Sequence, residues 1–192
     1  DEAGDHEATI TMVSNDPDGD LEVAVTGSAI DPPPPGFAAN ADNHNFNIIR
    51  VGAEASWDIL ISNDGYLPLE IDGVQFDDDA YSSNFPEEIV TIGRDDEPYT
   101  LTVTFAPGDV GNFDAVMTIS NNDPDFEESG FEVALAGEGA IPQIAVDPDA
   151  MDFGDVIVGE NNSGTLTITN AGGFALTINE INSDDGAFST DF

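Results

Sequence analysis

An internal repeat constrains the architecture of this chain more than any other feature. The stretch Gly111–Asp125 matches Gly4–Asp18 at an offset of 107 residues, and Val74–Phe85 matches Ile181–Phe192 at the same offset. Self-similarity at a fixed period indicates that one structural unit recurs along the chain. A tandem array with a period of about 107 residues is therefore predicted.

The repeat frame divides the 192 residues unequally. Residues 1–30 are predicted to be the C-terminal part of one unit, 31–139 a complete unit, and 140–192 the N-terminal part of the next unit. The piece equivalent to residues 86–107 occurs only once. Two interpretations remain open. Either the chain is a window on a longer array, or the partial units complete each other between neighbouring copies by strand addition.

Period-two patterning predicts the fold class. Segments such as Trp57–Ser62, Tyr99–Phe105 and Ala115–Ser120 alternate apolar and polar residues, are rich in β-branched residues and end at Gly, Asn, Asp or Pro. No stretch combines helix caps with an apolar stripe of helical period. About seven such strands per unit are typical of an immunoglobulin-like sandwich. The prediction is an all-β chain of tandem immunoglobulin-like β-sandwich domains, with about 107 residues per repeat.

Turn and linker residues support this division. Asn63-Asp-Gly65 and Asn170-Ala-Gly172 are expected to supply residues with positive φ for tight connections. Linkers are predicted at Asp31–Gly36, which contains four prolines, and at Gly139–Pro142. Because a polyproline run is semi-rigid, we expect the first linker to hold adjacent domains apart.

The net charge is −38, from 40 Asp and Glu against 2 Lys and Arg. Binding to nucleic acids or to anionic membranes requires basic residues, so neither is expected as a partner. Such a charge also repels itself within a compact fold. At about 1 M salt the Debye length falls to roughly 3 Å and this repulsion is screened. A saline or calcium-rich, halophilic setting is therefore expected. The sequence contains no cysteine, which excludes disulfides and thiolate chemistry.

Two acidic loops at equivalent repeat positions are candidate Ca²⁺ sites. Calcium prefers several hard oxygen ligands in flexible geometry, so Ca²⁺ is the candidate bound ion. The alternative is that Asp-Pro-Asp only shapes a solvated turn. The candidate metal ligands are Asp16, Asp18, Asp20, Asp123, Asp125, Glu127 and Glu128.

Residues for catalysis are scarce. The two histidines, His6 and His44, stand at unrelated repeat positions, so a Ser–His–acid triad or a histidine-based zinc site has almost no raw material. With 40 acids, proximity of two carboxylates says little about glycoside hydrolysis. We expect no catalytic or cofactor-binding residue. Asn161-Asn-Ser163 is a single N-glycosylation sequon, and Asn161 is its candidate site.

A series of motifs resembles a known domain family. Phe153–Gly159, Thr165–Asn170, Val103–Pro107 and Val133–Gly139 follow one another as do the signatures of ASPM/SPD-2/Hydin-like (ASH) immunoglobulin domains. The resemblance extends to the bacterial and archaeal versions in choice-of-anchor D surface proteins and covers nearly the whole chain. The middle unit departs from the pattern, with Asn47 where Phe-Gly is typical. We therefore expect its first strand to bend differently.

The resemblance implies an extracellular or cell-surface repeat architecture and no catalytic residue. The expected function is a structural protein that forms or belongs to a stalk, fibre or filament, through completion of split domains between subunits and with calcium or salt stabilisation. Expected partners are copies of the chain bound head-to-tail or flanking repeats of the same chain. The alternative is a non-catalytic spacer or ligand-binding module of a larger secreted adhesin or enzyme. In both cases the chain itself is expected not to be an enzyme.

Overall fold

The fold is all-β. The computed structural model describes residues 2–192, and in that range the regular structure consists of 13 strands without any helix. The described residues accordingly contain no helix that could span a membrane. In chain order the strands are β1 (Gly4–Met12), β2 (Leu21–Ala29), β3 (Phe37–Ala39), β4 (Asn43–Arg50), β5 (Ala55–Asn63), β6 (Leu69–Phe76), β7 (Tyr81–Ser83), β8 (Val90–Ile92), β9 (Tyr99–Phe105), β10 (Gly111–Asn121), β11 (Phe131–Ala140), β12 (Ile144–Asp147) and β13 (Thr167–Asn170).

Strands β3 to β11 form a two-layered sandwich. One sheet has the order β4-β11-β10-β6-β8 and the other the order β3-β5-β9-β7. Strands β4 and β11 are parallel, whereas the other pairs of the sandwich are antiparallel. The predicted all-β, immunoglobulin-like sandwich is confirmed. It has nine strands where about seven are expected, and three of the nine, β3, β7 and β8, are only three residues long.

The core lies between the two sheets. Alternate residues of β9, Leu101, Val103 and Phe105, are each 0% exposed, as expected for a strand buried on one face. The Phe105 ring lies 4.9 Å from the Tyr81 ring and 5.5 Å from the Phe46 ring, measured between centroids. Burial of such side chains is the main favourable contribution to the stability of the sandwich.

The residues on either side of the sandwich form two small sheets. Strands β1 and β2 make an antiparallel hairpin with register from Gly4↔Ala29 to Met12↔Leu21. Strands β12 and β13 pair antiparallel, starting at Ile144↔Asn170. The division of the chain into domains at residues 31 and 139 stays a prediction.

The 107-residue offset recurs in the backbone conformation. Gly4 and Gly111 have φ angles of 145° and 146°, and Gly52 and Gly159 have φ angles of 80° and 94°. These glycines occupy a region of φ that other residues rarely adopt. The sequence repeat is therefore also a repeat of local structure.

The expectation that Asn47 changes the bend of the first strand is wrong. Asn47 has φ 58°, and Gly154, which stands 107 residues later, has φ 60°. In both places the backbone N–H donates to a side-chain oxygen two residues earlier, Asn45 Oδ1 at 2.7 Å and Asp152 Oδ1 at 2.8 Å. Asn tolerates the left-handed conformation better than other non-glycine residues, so it replaces glycine here without altering the turn.

The expectation of positive φ at Gly65 and Gly172 is also wrong, because neither glycine has a positive φ. A Cβ atom on Gly65 would overlap the backbone of Pro34 and Gly36, and one on Gly172 would overlap the backbone carbonyl of Ile141. Glycine is needed at both positions because the linker backbone crosses directly over it.

An asparagine holds each linker against its turn. Asn63 Oδ1 accepts hydrogen bonds from the backbone N–H groups of Gly36 and Gly65, at 3.1 and 3.0 Å. Asn170 Oδ1 accepts the equivalent pair from Gln143 and Gly172, at 3.1 and 3.0 Å. The two units thus begin with the same linker-to-turn contact.

Candidate interaction surfaces

After residue 142, strands form only where the strand that would pair with them is also present in that segment. In the middle unit β3 pairs with β5, and their counterparts β12 and β13 pair in the same way. Strands β4, β6 and β7 instead pair with β8 to β11. Their counterparts by the 107-residue offset, residues 150–157, 176–183 and 188–190, are not strands. The segment forms only the strand pair whose two partners it contains.

One side of the β1–β2 hairpin is apolar. Because side chains alternate along a strand, every second residue of β1 and β2 faces the same side. We call this surface the hairpin face. It consists of Ala8, Ile10, Met12, Leu21, Val23 and Val25, all exposed.

The hairpin face has a buried counterpart in the sandwich. In register, the pair Ile10↔Val23 corresponds to the pair Met117↔Val133 of β10 and β11. Ile10 and Val23 are 53% and 42% exposed, whereas Met117 and Val133 are both 0% exposed. The hairpin face therefore has the residue pattern of a core surface without the core that covers it.

A second apolar surface lies in the C-terminal part of the chain. It is the counterpart of the first half of the sandwich core, from Phe37 to Ile71. Ile144 and Val146 are 55% and 45% exposed, and the other members are half-buried. We call this surface the segment face. It consists of Ile144, Val146, Phe153, Ile168, Leu176 and Ile178.

The middle unit shows how two such surfaces fit together. Strand β11 runs parallel to β4, from Ala134↔Asn43 to Ala140↔Arg50, and β10 pairs with β6 from Met117↔Phe76. The side chains of these strands belong to one core cluster. The hairpin face and the segment face are thus counterparts of two parts of a single core, whose remaining part, β9 with Leu101, Val103 and Phe105, has no second copy in the 192 residues.

The acidic residues predicted to bind calcium lie in two turns. Asp123 is 6% exposed. Its Oδ1 accepts a hydrogen bond from the Asp125 N–H at 2.9 Å, and its Oδ2 accepts one from the Phe37 N–H at 2.6 Å. Asp125, Glu127 and Glu128 are exposed. The sequence reasoning missed that Asp123 joins the loop to β3, although its position in an Asn-Asp-Pro turn was visible.

In the N-terminal turn, Asp16, Asp18 and Asp20 are all exposed. Asp16 Oδ1 accepts a hydrogen bond from the Asp18 N–H at 3.0 Å. Within residues 2–192 no group of three or more His, Asp or Glu side chains is arranged to hold a metal ion. Calcium binding by these turns stays a prediction.

Asn161 lies on an exposed stretch. It follows a turn in which the Glu160 N–H donates to the Ile157 carbonyl at 2.9 Å. An exposed sequon on such a turn is accessible to modification. Glycosylation of Asn161 stays a prediction.

Burial shifts the pKa values of three titratable groups of the sandwich, among them Tyr99, whose pKa it raises. Burial raises the pKa of Tyr81 to about 12, and the carboxylates of Asp78 and Asp114 add to this shift. The Tyr81 hydroxyl donates to the Phe113 carbonyl at 2.7 Å. His44 stacks on Trp57 with ring centroids 4.4 Å apart, and burial lowers the pKa of His44. These groups pack against core side chains.

Comparison with known proteins agrees with the fold. Residues 142–192 match the HYDIN/CFA65/VesB-like, Ig-like domain family. For these residues the match confirms the expected resemblance to ASH-type immunoglobulin-like domains. No curated protein sequence matches the chain.

Three solved structures are similar to parts of the chain. The ASH/PapD-like domain 7 of human CEP192 has a TM-score of 0.46 and 11% identity, covering 58% of this chain and 89% of that chain. A protein of unknown function from Porphyromonas gingivalis W83 has a TM-score of 0.46 and 16% identity, covering 71% and 66%. The secreted serine protease VesC from Vibrio cholerae has a TM-score of 0.40 and 8% identity, covering 56% and 24%.

Proposed function

We propose that this ASH-type immunoglobulin-like chain is an extracellular, non-catalytic structural repeat protein whose units join end to end into a stalk, fibre or filament. The hairpin face of one unit packs on the segment face of a neighbour, which is either a second copy or a flanking repeat of the same chain. The observation that carries this proposal is the exposure of Ile10 at 53% and Ile144 at 55%. Their counterparts in the middle unit, Met117 and Phe37, are buried in the core.

Burial of these side chains provides the driving force. Covering one side chain the size of Ile or Leu contributes about 1.5–3 kcal/mol, and each face presents six apolar residues. Contiguous apolar patches of this kind typically mark interaction surfaces. The two faces are different surfaces of the chain, so their contact is heterologous. A heterologous contact that does not close into a ring produces a fibre.

Sedimentation velocity and negative-stain microscopy of residues 1–192 in about 1 M NaCl, where surface repulsion is screened, test the proposal. We expect concentration-dependent linear polymers. The double variant Ile10→Asp/Val23→Asp is expected to remain monomeric, because it places two charges on the hairpin face. Its matched control is Thr9→Asp/Ala24→Asp, a cross-strand pair on the opposite side of the same hairpin, which is expected to polymerise like the wild type.

A wild-type chain that stays a monodisperse monomer at all concentrations would contradict end-to-end assembly. That outcome would favour the alternative function, a spacer or ligand-binding module of a larger secreted adhesin or enzyme. Retention of a glycan or protein ligand by the monomer would support this alternative directly.

The net charge of −38 supports a dependence on salt or Ca²⁺. The melting temperature is expected to rise between about 0.1 and 1 M NaCl, because screening reduces repulsion among carboxylates. Binding of Ca²⁺ to the native acidic turns is expected to raise it further at fixed ionic strength. A melting temperature that chelator does not change at fixed ionic strength would exclude the calcium contribution and leave the effect of salt.

A further inference from the structure

Asp123 connects two parts of the middle unit that are far apart in sequence. The Phe37 N–H that it binds through Oδ2 belongs to the first residue of β3. The turn that contains Asp123 lies between β10 and β11, in the other sheet. Asp123 therefore fastens the first strand of one sheet to the second half of the sandwich.

Asp16 occupies the same position in the N-terminal hairpin. It stands 107 residues before Asp123, in the shared sequence Asn-Asp-Pro-Asp. Its turn is built in the same way, because Oδ1 accepts the N–H of Asp18 at 3.0 Å just as Asp123 Oδ1 accepts that of Asp125 at 2.9 Å. The difference is that Asp16 is exposed, whereas Asp123 is 6% exposed.

Ile144 occupies the position of Phe37 in the C-terminal part of the chain. It is the first residue of β12 and pairs with Asn170, as Phe37 pairs with Asn63. Both asparagines fix the linker just before that strand. The backbone at Ile144 is thus held in the same setting as the backbone at Phe37, and the Ile144 side chain is 55% exposed.

We propose that Asp16 Oδ2 accepts a hydrogen bond from the backbone N–H of Ile144 of a second copy, and that this contact determines the register in which the hairpin face docks on the segment face. The inference rests on the proposed end-to-end association and names one contact within it. Apolar faces alone tolerate sliding, whereas a hydrogen bond between a carboxylate and a specific backbone N–H fixes one alignment. The Phe37–Asp123 contact supplies the geometry.

The variant Asp16→Asn distinguishes the proposed hydrogen bond to Ile144 from the hydrogen bond that Asp16 makes within its own turn. The amide keeps an acceptor for the Asp18 N–H, so the turn is retained, but it places a donor where the carboxylate would accept from Ile144. The matched control is Asp18→Asn, which removes the same charge from the same exposed turn.

The measurement is the dissociation constant of self-association for residues 1–192 by sedimentation, in about 1 M NaCl with chelator present. We expect Asp16→Asn to weaken association about 10-fold or more, as for loss of a hydrogen bond to a charged group, and Asp18→Asn to leave it within about 2-fold of the wild type. Ile144→Pro, which removes the N–H at the first residue of a strand, is expected to be non-additive with Asp16→Asn.

The possible failures are distinguishable. If the wild type does not associate, the proposed function fails and the inference fails with it. If the wild type associates and Asp16→Asn behaves like Asp18→Asn, end-to-end association stands and the hydrogen bond is overturned. If Asp16→Asn weakens association with Ca²⁺ present but behaves like Asp18→Asn in chelator, Asp16 acts through Ca²⁺ and the proposed contact is also overturned.

Discussion

The hairpins β1–β2 and β10–β11 have the same cross-strand pairs and opposite burial. Ile10 pairs with Val23 as Met117 pairs with Val133, and the first pair is about half exposed while the second pair is 0% exposed. The hydrogen-bonded pairing of a hairpin is local and needs only the two strands. Burial of its apolar side needs a second sheet, which the middle unit supplies to β10–β11.

The C-terminal part of the chain also depends on partner strands. It repeats the sequence of β3 to β7, yet it contains only the strands β12 and β13. These are the counterparts of β3 and β5, which pair with each other, whereas β4, β6 and β7 pair with later strands. Sequence pattern therefore decides which residues can face a core. The presence of partner strands decides which of them form strands and become buried.

Truncation at equivalent positions tests this comparison with the largest expected effect. Met117→Ala is expected to lower the free energy of unfolding of the sandwich by about 2–5 kcal/mol, because it leaves a cavity in a fully buried site. Ile10→Ala, at the equivalent position of the exposed hairpin, is expected to change it by less than about 0.5 kcal/mol. Denaturant unfolding at high salt and at concentrations below association measures both.

Equal effects of Met117→Ala and Ile10→Ala under those conditions would contradict the comparison. They would mean that the hairpin face is covered in the monomer.

Gly137 and Gly27 occupy equivalent positions in the two hairpins. A Cβ atom on Gly137 would overlap the ring of Phe105, whereas one on Gly27 would meet no atom within 4 Å. Gly137→Ala is expected to destabilise the sandwich by about 1–3 kcal/mol through overpacking, and Gly27→Ala to be neutral. Weaker end-to-end association of Gly27→Ala at high protein concentration would show that the neighbour packs over Gly27.

The two turn aspartates provide a third contrast. Asp123→Asn is expected to destabilise the sandwich by about 1–3 kcal/mol, because the Phe37 N–H loses a buried acceptor. Asp16→Asn is expected to leave the unfolding of the monomer unchanged, since Asp16 is exposed. Thermal denaturation of both variants at low protein concentration measures the difference. Destabilisation by Asp16→Asn in the monomer would show that this carboxylate already has a structural partner.

Tyr81 differs from its counterpart Phe188 by a titratable hydroxyl. Burial raises the pKa of Tyr81 from 10.0 to about 12. Between these pH values the unfolded chain loses the phenolic proton and the folded chain retains it, so stability falls as pH rises from 10 towards 12. Tyr81→Phe is expected to flatten this decline, leaving the smaller contribution of Tyr99, whose pKa is also raised by burial. An unchanged pH profile between pH 10 and 12 in Tyr81→Phe would contradict the assignment.

The sequence predicted the fold because its signals were periodic. Alternation identified Tyr99–Phe105 with the bounds that the structure has for β9, and the 107-residue offset placed Asn63 and Asn170 at equivalent turns. The roles of two glycines could not be predicted from periodicity. The roles of Gly65 and Gly172 depend on a linker that crosses over them, and such a contact leaves no local pattern.

The candidate site was only partly predictable. Counting acids in Asn-Asp-Pro-Asp turns suggested metal ligands, but composition could not show that Asp123 is buried and binds the amide of Phe37, 86 residues away in the chain. The apolar residues of β1 and β2 were predictable from alternation. Their exposure was not, because it depends on which partner strands are present.

Hydrogen exchange during association tests whether the hairpin face closes on the segment face. If the hairpin face of one copy closes on the segment face of the next, β2 and β1 provide partners for residues 150–157 and 176–183, the counterparts of β4 and β6. Exchange in these two segments is predicted to slow with rising protein concentration. Residues 162–166 and 188–190 should remain unprotected, because their counterparts pair with β9, which has no second copy in the 192 residues. Polymers in which residues 150–157 and 176–183 exchange as fast as in the monomer would contradict closure of the hairpin face on the segment face.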